Sequence, residues 1–499
     1  MKKKRTLILV LIAALVLVGV MLLLIFLPKG NGDNKSSTLD EGVAMKTATD
    51  KNGMHQAVVQ TEPNGEIKNN SYGTLIDYVP ANIKSMHIEN AKGTLDLEAN
   101  TPKGEATVYT LKGYEDFGIQ SGIPDSVANA AAKLEFTKVA SLDGKDKKEF
   151  GLENPRATVT VTYLDKTKAK FIVGSDAPQS AGTYVQFGTE GTIYLCSTET
   201  VEPFTLGLND YMDLNINKSA EDTDNSKLSS VTISGSGFSK EIVLVPNDNP
   251  NNDASYRMTA PLDCYANENE SSLIEGGLRG LYADSVELVN PSKDQLSKIG
   301  LANPYAKVEA VYPDLTVKLL GSKADSDGKT YVMEEGGKVV YKIGADKVPW
   351  VNTSYEKLVS EYVLKPTMTA LSGVSVKTDK TYDFTLKSET KTTTDDAGEE
   401  STATTTNVSY GSKELELGDF TGFYDALTLI KLDSPNAKSY SGSPELSVTY
   451  TYTDGSTDKV EFYASGSEKY VAVLNGKTMG NCYKADVTRV QKEVKEVIK

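Results

Sequence analysis

Histidine and tryptophan are almost missing from this chain: its 499 residues include 2 His and 1 Trp. His55 and His87 are the whole supply of imidazole, and His87 sits between Met86 and Ile88 in an alternating stretch that reads as a strand rather than a catalytic loop. No H-E-x-x-H, G-x-S-x-G or C-x-x-C occurs, which removes the commonest zinc, esterase and redox sites. Cys196, Cys264 and Cys482 are odd in number and far apart, so no disulfide framework is readable. Positive charge is also short, with 53 Lys and Arg against 68 Asp and Glu and a formal net charge of −15. Setting aside the four charges of Lys2, Lys3, Lys4 and Arg5 takes the rest to −19. A body that acidic does not hold nucleic acid by neutralising phosphates, nor lie against anionic lipid headgroups.

The one long apolar run is Leu7 to Leu27, 21 residues without a charge. As a helix it spans about 31 Å, the thickness of a hydrocarbon core. It is longer than the apolar region of a signal peptide and leaves through Pro28-Lys29-Gly30-Asn31 with no A-x-A-like site, so it is expected to remain as an anchor. The basic cluster ahead of it stays cytoplasmic by the positive-inside rule, which sends the bulk of the chain across a cell membrane. Residues 1–28 thus read as cytoplasmic tip and transmembrane helix. Residues 29–77, rich in Gly, Asn, Ser, Lys and Asp, read as a flexible stalk that includes His55.

What the chain does have is repetition. Gly151-Leu152-Glu153-Asn154-Pro155 returns as Gly300-Leu301-Ala302-Asn303-Pro304, 149 residues on. Gly174 is echoed by Gly321, Tyr184-Val185 by Tyr331-Val332, and Tyr194 by Tyr341. Glycine permits a left-handed turn, the leucine plugs the core, and Asn-Pro forces an extended entry into the next strand, so the motif reads as structural punctuation. With 26 Tyr and many threonines the pattern favours strands. The expected fold class is α+β: three units of mostly antiparallel sheet, each with one inserted helix before a closing meander. Their bounds are 78–217, 228–365 and a divergent 370–499, the last interrupted by a Thr-, Ser- and Glu-rich insertion at 388–407 expected to be disordered. Helix starts are placed at Asp125 or Ser126, at the Ser272-x-x-Glu275 capping box, and at Asp419. Val487, Val490, Val494 and Val497 mark a closing amphipathic helix.

Other chemical signals resolve into ordinary structure. Gly328-Lys329-Thr330 lacks the upstream glycine of a phosphate loop and falls in a hairpin. Asp325-Ser326-Asp327-Gly328 opens like a calcium loop but has no Glu at the twelfth position. Ser456-x-x-Lys459 has a penicillin-binding spacing but sits in a hairpin. Trp350 reads as a core or inter-unit plug ahead of a sugar-stacking platform. No catalytic, cofactor-binding or metal-ligating residue is assigned, and no enzyme activity is expected.

At the repeated blocks the chain resembles the bacterial domain-of-unknown-function family DUF4340, whose members share the Gly-Leu-x-x-Pro turn, a strand pair ending in Gly and a Tyr-Val hairpin. Where that family carries a Trp-x-x-x-x-Pro element, the second unit has Arg257-Met258-Thr259-Ala260-Pro261. The resemblance implies an auxiliary or scaffold role beside ABC transporter subunits of the gliding-motility type. The alternative expectation, from surface tyrosines, is a protein binding cell-wall polymer or polysaccharide.

Overall fold

The computed structural model describes residues 47–57, 73–103, 105–142, 144–189, 191–219, 227–394, 400–434 and 439–499. The expected anchor at 7–27 and the stalk at 29–46 and 58–72 lie outside the described residues. Among the described residues no helix is long and apolar enough to cross a membrane. The remainder of the expected stalk is built into structure. β1 (Thr47–Thr49) and β2 (His55–Ala57) pair as a small antiparallel ribbon, and β3 (Gly73–Asp77) is an edge strand of the first large sheet.

Three nine-stranded sheets dominate, so the balance is tilted toward β relative to the expected α+β class. The first contains β3, β4 (Ile83–Asn90), β5 (Gly93–Asn100), β6 (Val108–Leu111), β7 (Lys133–Ser141), β8 (Ala157–Tyr163), β9 (Lys168–Asp176), β10 (Thr183–Phe187) and β11 (Ile193–Cys196). Helix α1 (Ile123–Ala132) precedes β7, and the spatial order is β3-β7-β11-β10-β9-β8-β4-β5-β6. The second sheet is built from β12 (Ser230–Ser234), β13 (Ile242–Pro246), β14 (Tyr256–Ala260), β15 (Cys264–Tyr265), β16 (Ser285–Val289), β17 (Ala306–Val311), β18 (Thr316–Gly321), β19 (Lys329–Glu334) and β20 (Val339–Gly344). It carries α2 (Glu268–Gly276) and α3 (Lys293–Lys298), in the order β15-β14-β13-β12-β17-β18-β19-β20-β16.

The third repeats that path strand for strand. It contains β21 (Leu371–Lys377), β22 (Thr381–Thr394), β23 (Glu400–Tyr410), β24 (Lys413–Leu415), β25 (Leu432–Ser434), β26 (Leu446–Tyr452), β27 (Thr457–Ser465), β28 (Lys469–Leu474) and β29 (Lys477–Tyr483). Its order is β24-β23-β22-β21-β26-β27-β28-β29-β25, with α4 (Leu417–Thr428) and α5 (Lys484–Glu496). The first sheet shares the run from β6 to β7 and differs only in what is added at its ends. In every copy a helix carries the chain from one edge of the sheet to its far side. The strand after it pairs with the last strand of the meander: β7 with β11, β16 with β20, β25 with β29.

Period-2 alternation explains the strands. β8 reads Ala-Thr-Val-Thr-Val-Thr-Tyr with every other side chain buried. The seam joining opening and closing meanders is apolar in each copy: Met86 faces Val161 and Ile88 faces Val159, Val231 faces Ala310 and Ile233 faces Val308, Val374 faces Tyr450 and Val376 faces Val448. All twelve of these side chains are buried. Cross-strand apolar pairs of this kind are the unit of sheet stability, so the repeat conserves its central seam even where the sequence has diverged. In the third copy Phe420, Phe423 and Tyr424 of α4 and Val487, Val490 and Val494 of α5 are buried in one apolar core with Phe384. Phe384 lies 5.4 Å from both the Phe420 and Phe423 rings.

Several local expectations are corrected. α2 starts four residues before Ser272, with Asn267 as its N-cap accepting the Glu270 N–H, so Ser272 is an interior residue. Asp125 and Asp419 sit inside the first turns of α1 and α4 rather than capping them, which still places a carboxylate at the positive end of the helix. The insertion at 388–407, expected to be disordered, is part of an extended hairpin. β22 and β23 stay in register from Phe384–Tyr410 out to Thr394–Glu400, with 395–399 outside the described residues. Threonine explains this, because its branched side chain favours the extended backbone and its hydroxyl can bond across the pair. Ser388 lies 2.9 Å from Thr406 and Thr390 lies 3.0 Å from Thr404, hydroxyl to hydroxyl.

The chain divides into two compact units, the described parts of Met1–Thr110 with Ser126–Thr205, and of Leu111–Asp125 with Leu206–Lys499. The second unit holds both later sheets.

Candidate functional site

The repeated motif closes a turn in the first sheet and stops a helix in the second. Gly300 takes φ of 78° after α3, its N–H donating to Ser297 O (3.2 Å) while Leu301 N–H donates to Leu296 O (2.8 Å). Gly151, at φ 68°, repeats both bonds onto Lys148 (3.2 Å) and Lys147 (2.8 Å). This is the Schellman arrangement, completed by an apolar side chain one residue after the glycine, and Leu152 and Leu301 are both buried. Asn154 and Asn303 are exposed, and the Pro304 carbonyl accepts from the Ser236 N–H and hydroxyl, each at 3.0 Å. None of these residues lines the two hollows described below.

The other sequence candidates are spent locally. The Asp325 carboxylate accepts the Asp327 and Lys329 N–H groups, and Lys329 Nζ lies 2.7 Å from Asp284. The Ser456 hydroxyl donates to Asp454 (2.6 Å) while Lys459 pairs with Glu461 (2.7 Å), so hydroxyl and amine do not meet. Trp350 is fully buried and donates Nε1–H to Gly277 O at 2.8 Å. Among the described residues no group of three or more His, Cys, Asp or Glu side chains is arranged to hold a metal ion.

Two constellations were not legible as sites. The first is in the first unit, where His55 of β2 lies 3.0 Å from Tyr78 Oη and 2.9 Å from Thr167 Oγ1 through Nε2. Tyr78 donates to Asp165 at 2.8 Å and stacks on Tyr163 with ring centroids 3.9 Å apart. Because the Tyr78 hydrogen goes to Asp165, its oxygen is left to accept the imidazole N–H, which suits neutral His55. Burial lowers the His55 pKa from 6.5, the Asp165 charge opposing it. His87 behaves oppositely: hydrogen bonds from its ring to Asp96 and then Glu89 raise its pKa from 6.5.

A histidine held neutral contributes stability present above its unfolded value and lost as the pH falls below about 6.5. The His87 contribution is full below 6.5 and is lost as the pH rises through its elevated value. With two histidines in the chain, ring-proton NMR titration reads this without ambiguity. The His55 midpoint is expected below 6.5 and that of His87 above it. The reverse order would contradict the geometry.

The second constellation lies between the second and third sheets, within the second compact unit. A cleft of about 270 Å³ is walled by the Asn252–Ala254 loop, β15, the start of α2, the segment 359–365 and Met479 of β29. A second hollow of about 280 Å³ shares Cys264, Tyr265, Leu364 and Met479 with it, so the two form one groove across Tyr265. An asparagine-rich loop shapes the wall. Asn247 donates to the carbonyls of Asn249, Asn252 and Ala254, at 3.2, 3.0 and 2.8 Å. Asn249 donates to Tyr265 Oη (2.9 Å), and Asn251 reaches Asp454 of the third repeat (3.1 Å). Four asparagines in six residues, Asn247 to Asn252, were the signal available in the sequence. Such side chains bond their own backbone and fix an irregular loop.

The edge of β15 is closed: Ser360 N–H donates to Tyr265 O (3.0 Å) and Asn267 N–H to Leu358 O (2.8 Å). Burial pushes the Cys264 thiol up to about 11, so the groove's sulfur is protonated and poorly nucleophilic at neutral pH. Glu361 is held below the usual carboxylate range, chiefly by Lys431 at 2.8 Å.

A family model described as Domain of unknown function (DUF4340) matches residues 109–272 and again 256–435, together more than half of the chain. The first match runs from β6 into α2, and the second from the start of β14 through α4 and β25. Comparison with curated proteins and with solved structures returns no match.

Proposed function

The chain belongs to the DUF4340 family, and we propose that it is a non-enzymatic, membrane-anchored scaffold whose repeated sheets present docking surfaces outside the cell membrane. The observation that carries this reading is the threefold use of one eight-strand path, extended by a ninth strand in each sheet. Tandem copies multiply surface of similar shape, and their edges and junctions become places for partners to bind. The anchor is the uncharged run at 7–27 behind a basic tip, which supports a cytoplasmic N-terminus and an outer body. The β22–β23 hairpin adds an arm: from Lys387 and Asn407 outward its strands pair only with each other among the described residues. The family resemblance supports an ABC transport complex of the gliding-motility type as the partner.

The test is a photo-crosslinker at exposed Thr392, carried by the full chain in living cells, with parallel purification in mild detergent. Adducts and co-purification with a transporter membrane subunit are the expected result. A chain that purifies and crosslinks with no such subunit overturns the reading.

A further inference from the structure

We propose that the groove between the second and third sheets is a binding site for a neutral, hydroxyl-rich ligand, a short glycan segment, which accepts a hydrogen bond from Asn252 Nδ2. Asn252 is 7% exposed and lines the cleft. Its amide orientation is fixed, because Oδ1 accepts the Ala254 N–H at 2.9 Å. That leaves Nδ2 as a buried donor with no hydrogen-bond partner among the described residues. A buried polar group without a partner is rare and calls for an acceptor brought from outside. The neighbouring asparagines make the contrast: the Nδ2 groups of Asn247, Asn249 and Asn251 all donate within the protein.

Charge and shape narrow the class of ligand. Across the two hollows Asp253, Asp263, Glu268, Glu361 and Asp458 outnumber Arg257, Lys365 and Lys477, so an anionic ligand is disfavoured. Carboxylates keep spare lone pairs for ligand hydroxyls, and Tyr265, which accepts from Asn249, retains its own O–H to donate. A ligand offering both hydroxyl donors and oxygen acceptors matches this mixture. An extended peptide adding as a strand does not, because the free edge of β15 is occupied by the segment around Ser360. The two joined hollows, about 270 and 280 Å³, reach the size of ordinary small-molecule sites. This site goes beyond the scaffold reading and stands whether or not a transporter partner is found.

The experiment is calorimetric titration of the full chain in detergent with chitotriose and cellotriose at millimolar concentration. Trigalacturonate and a neutral tetrapeptide serve as comparison ligands. Asn252→Asp keeps the acceptor for Ala254 and removes the donor; Asn252→Leu removes both; Lys293→Ala on α3 is a surface control. Binding of a neutral trisaccharide is expected, weakened about tenfold or more by both Asn252 variants and unchanged by the control. Circular dichroism of Asn252→Asp should match the parent, separating lost binding from lost fold. The proposal is overturned if neither neutral trisaccharide binds, if binding survives Asn252→Asp, or if the anionic sugar or the peptide binds more tightly.

Discussion

Trp350→Ala is expected to destabilise the second sheet by about 3–5 kcal/mol, the usual range for emptying a buried aromatic site. Trp350 is fully buried, and its ring fills the space left by Gly321, where an added Cβ would lie 3.0 and 3.1 Å from the indole. Its Nε1–H also satisfies the Gly277 carbonyl just past the end of α2, so the substitution orphans an acceptor as well as opening a cavity. Trp350→Phe separates the two contributions, since it keeps most of the apolar area and loses the hydrogen bond, at about 1–2 kcal/mol. Three sheets are not expected to unfold as one two-state system, so the readout is amide exchange resolved by segment. Protection should fall in β18 and β20 and hold in β8 and β9. Equal protection in the alanine variant would show that the indole is not a keystone of this sheet.

The second large effect falls on Gly174→Ala, expected to cost the first sheet about 3 kcal/mol, the upper end for overpacking. A Cβ there would sit 2.1 Å from the Phe150 carbonyl oxygen and 3.2 Å from Leu152 Cδ2. Phe150 is the residue before the left-handed Gly151 turn, and its carbonyl accepts the Ser175 N–H at 2.9 Å. The obstacle is thus backbone docked on backbone, with no flexible side chain to swing away. Amide exchange in β9 and β10 should accelerate while the third sheet is unaffected. Gly328→Ala is the contrast: an added Cβ meets nothing within 4 Å, and only the φ of 71° is strained, at about 1 kcal/mol. If the two variants are equally stable, the Gly151 turn does not dock its backbone on Gly174.

The difference between what the sequence disclosed and what it withheld has a physical pattern. The repeat was legible because a Schellman stop needs glycine, an apolar follower and an extended exit at fixed spacing, and those demands leave residue types behind. The closing meanders were legible because their strands alternate, as in Ala157 to Tyr163. The strands after the helices were not. β7 begins at Lys133 directly after Ala132 ends α1, with no turn residue between them to mark the change of period. The β22–β23 arm was hidden by composition, since threonine and glutamate resemble a disordered tract until the cross-strand pairing is known.

The groove was hidden for a different reason. Its walls come from residues more than two hundred positions apart, as in the Asn251–Asp454 hydrogen bond. Nothing local distinguishes an asparagine that lines such a junction from one that merely turns a loop. His55 was similarly misplaced. Its partners Tyr78 and Thr167 belong to a later loop and the far end of the β8–β9 hairpin, so its neighbourhood could not be read from the stalk-like residues around it.

The crossing helix has a consequence for how the chain matures. In the second sheet Ser230 of β12 is matched with Val311 of β17, and β16 finds its place only beside β20. Until the final hairpin has been synthesised and delivered, the early strands form half a sheet with a bare inner edge. Strand pairings this remote in sequence close slowly, and unpaired edges invite pairing with other chains. For a body made of three such sheets, each newborn copy passes through a sticky stage that ends when its last strand arrives. Shielding from neighbours matters most during that interval.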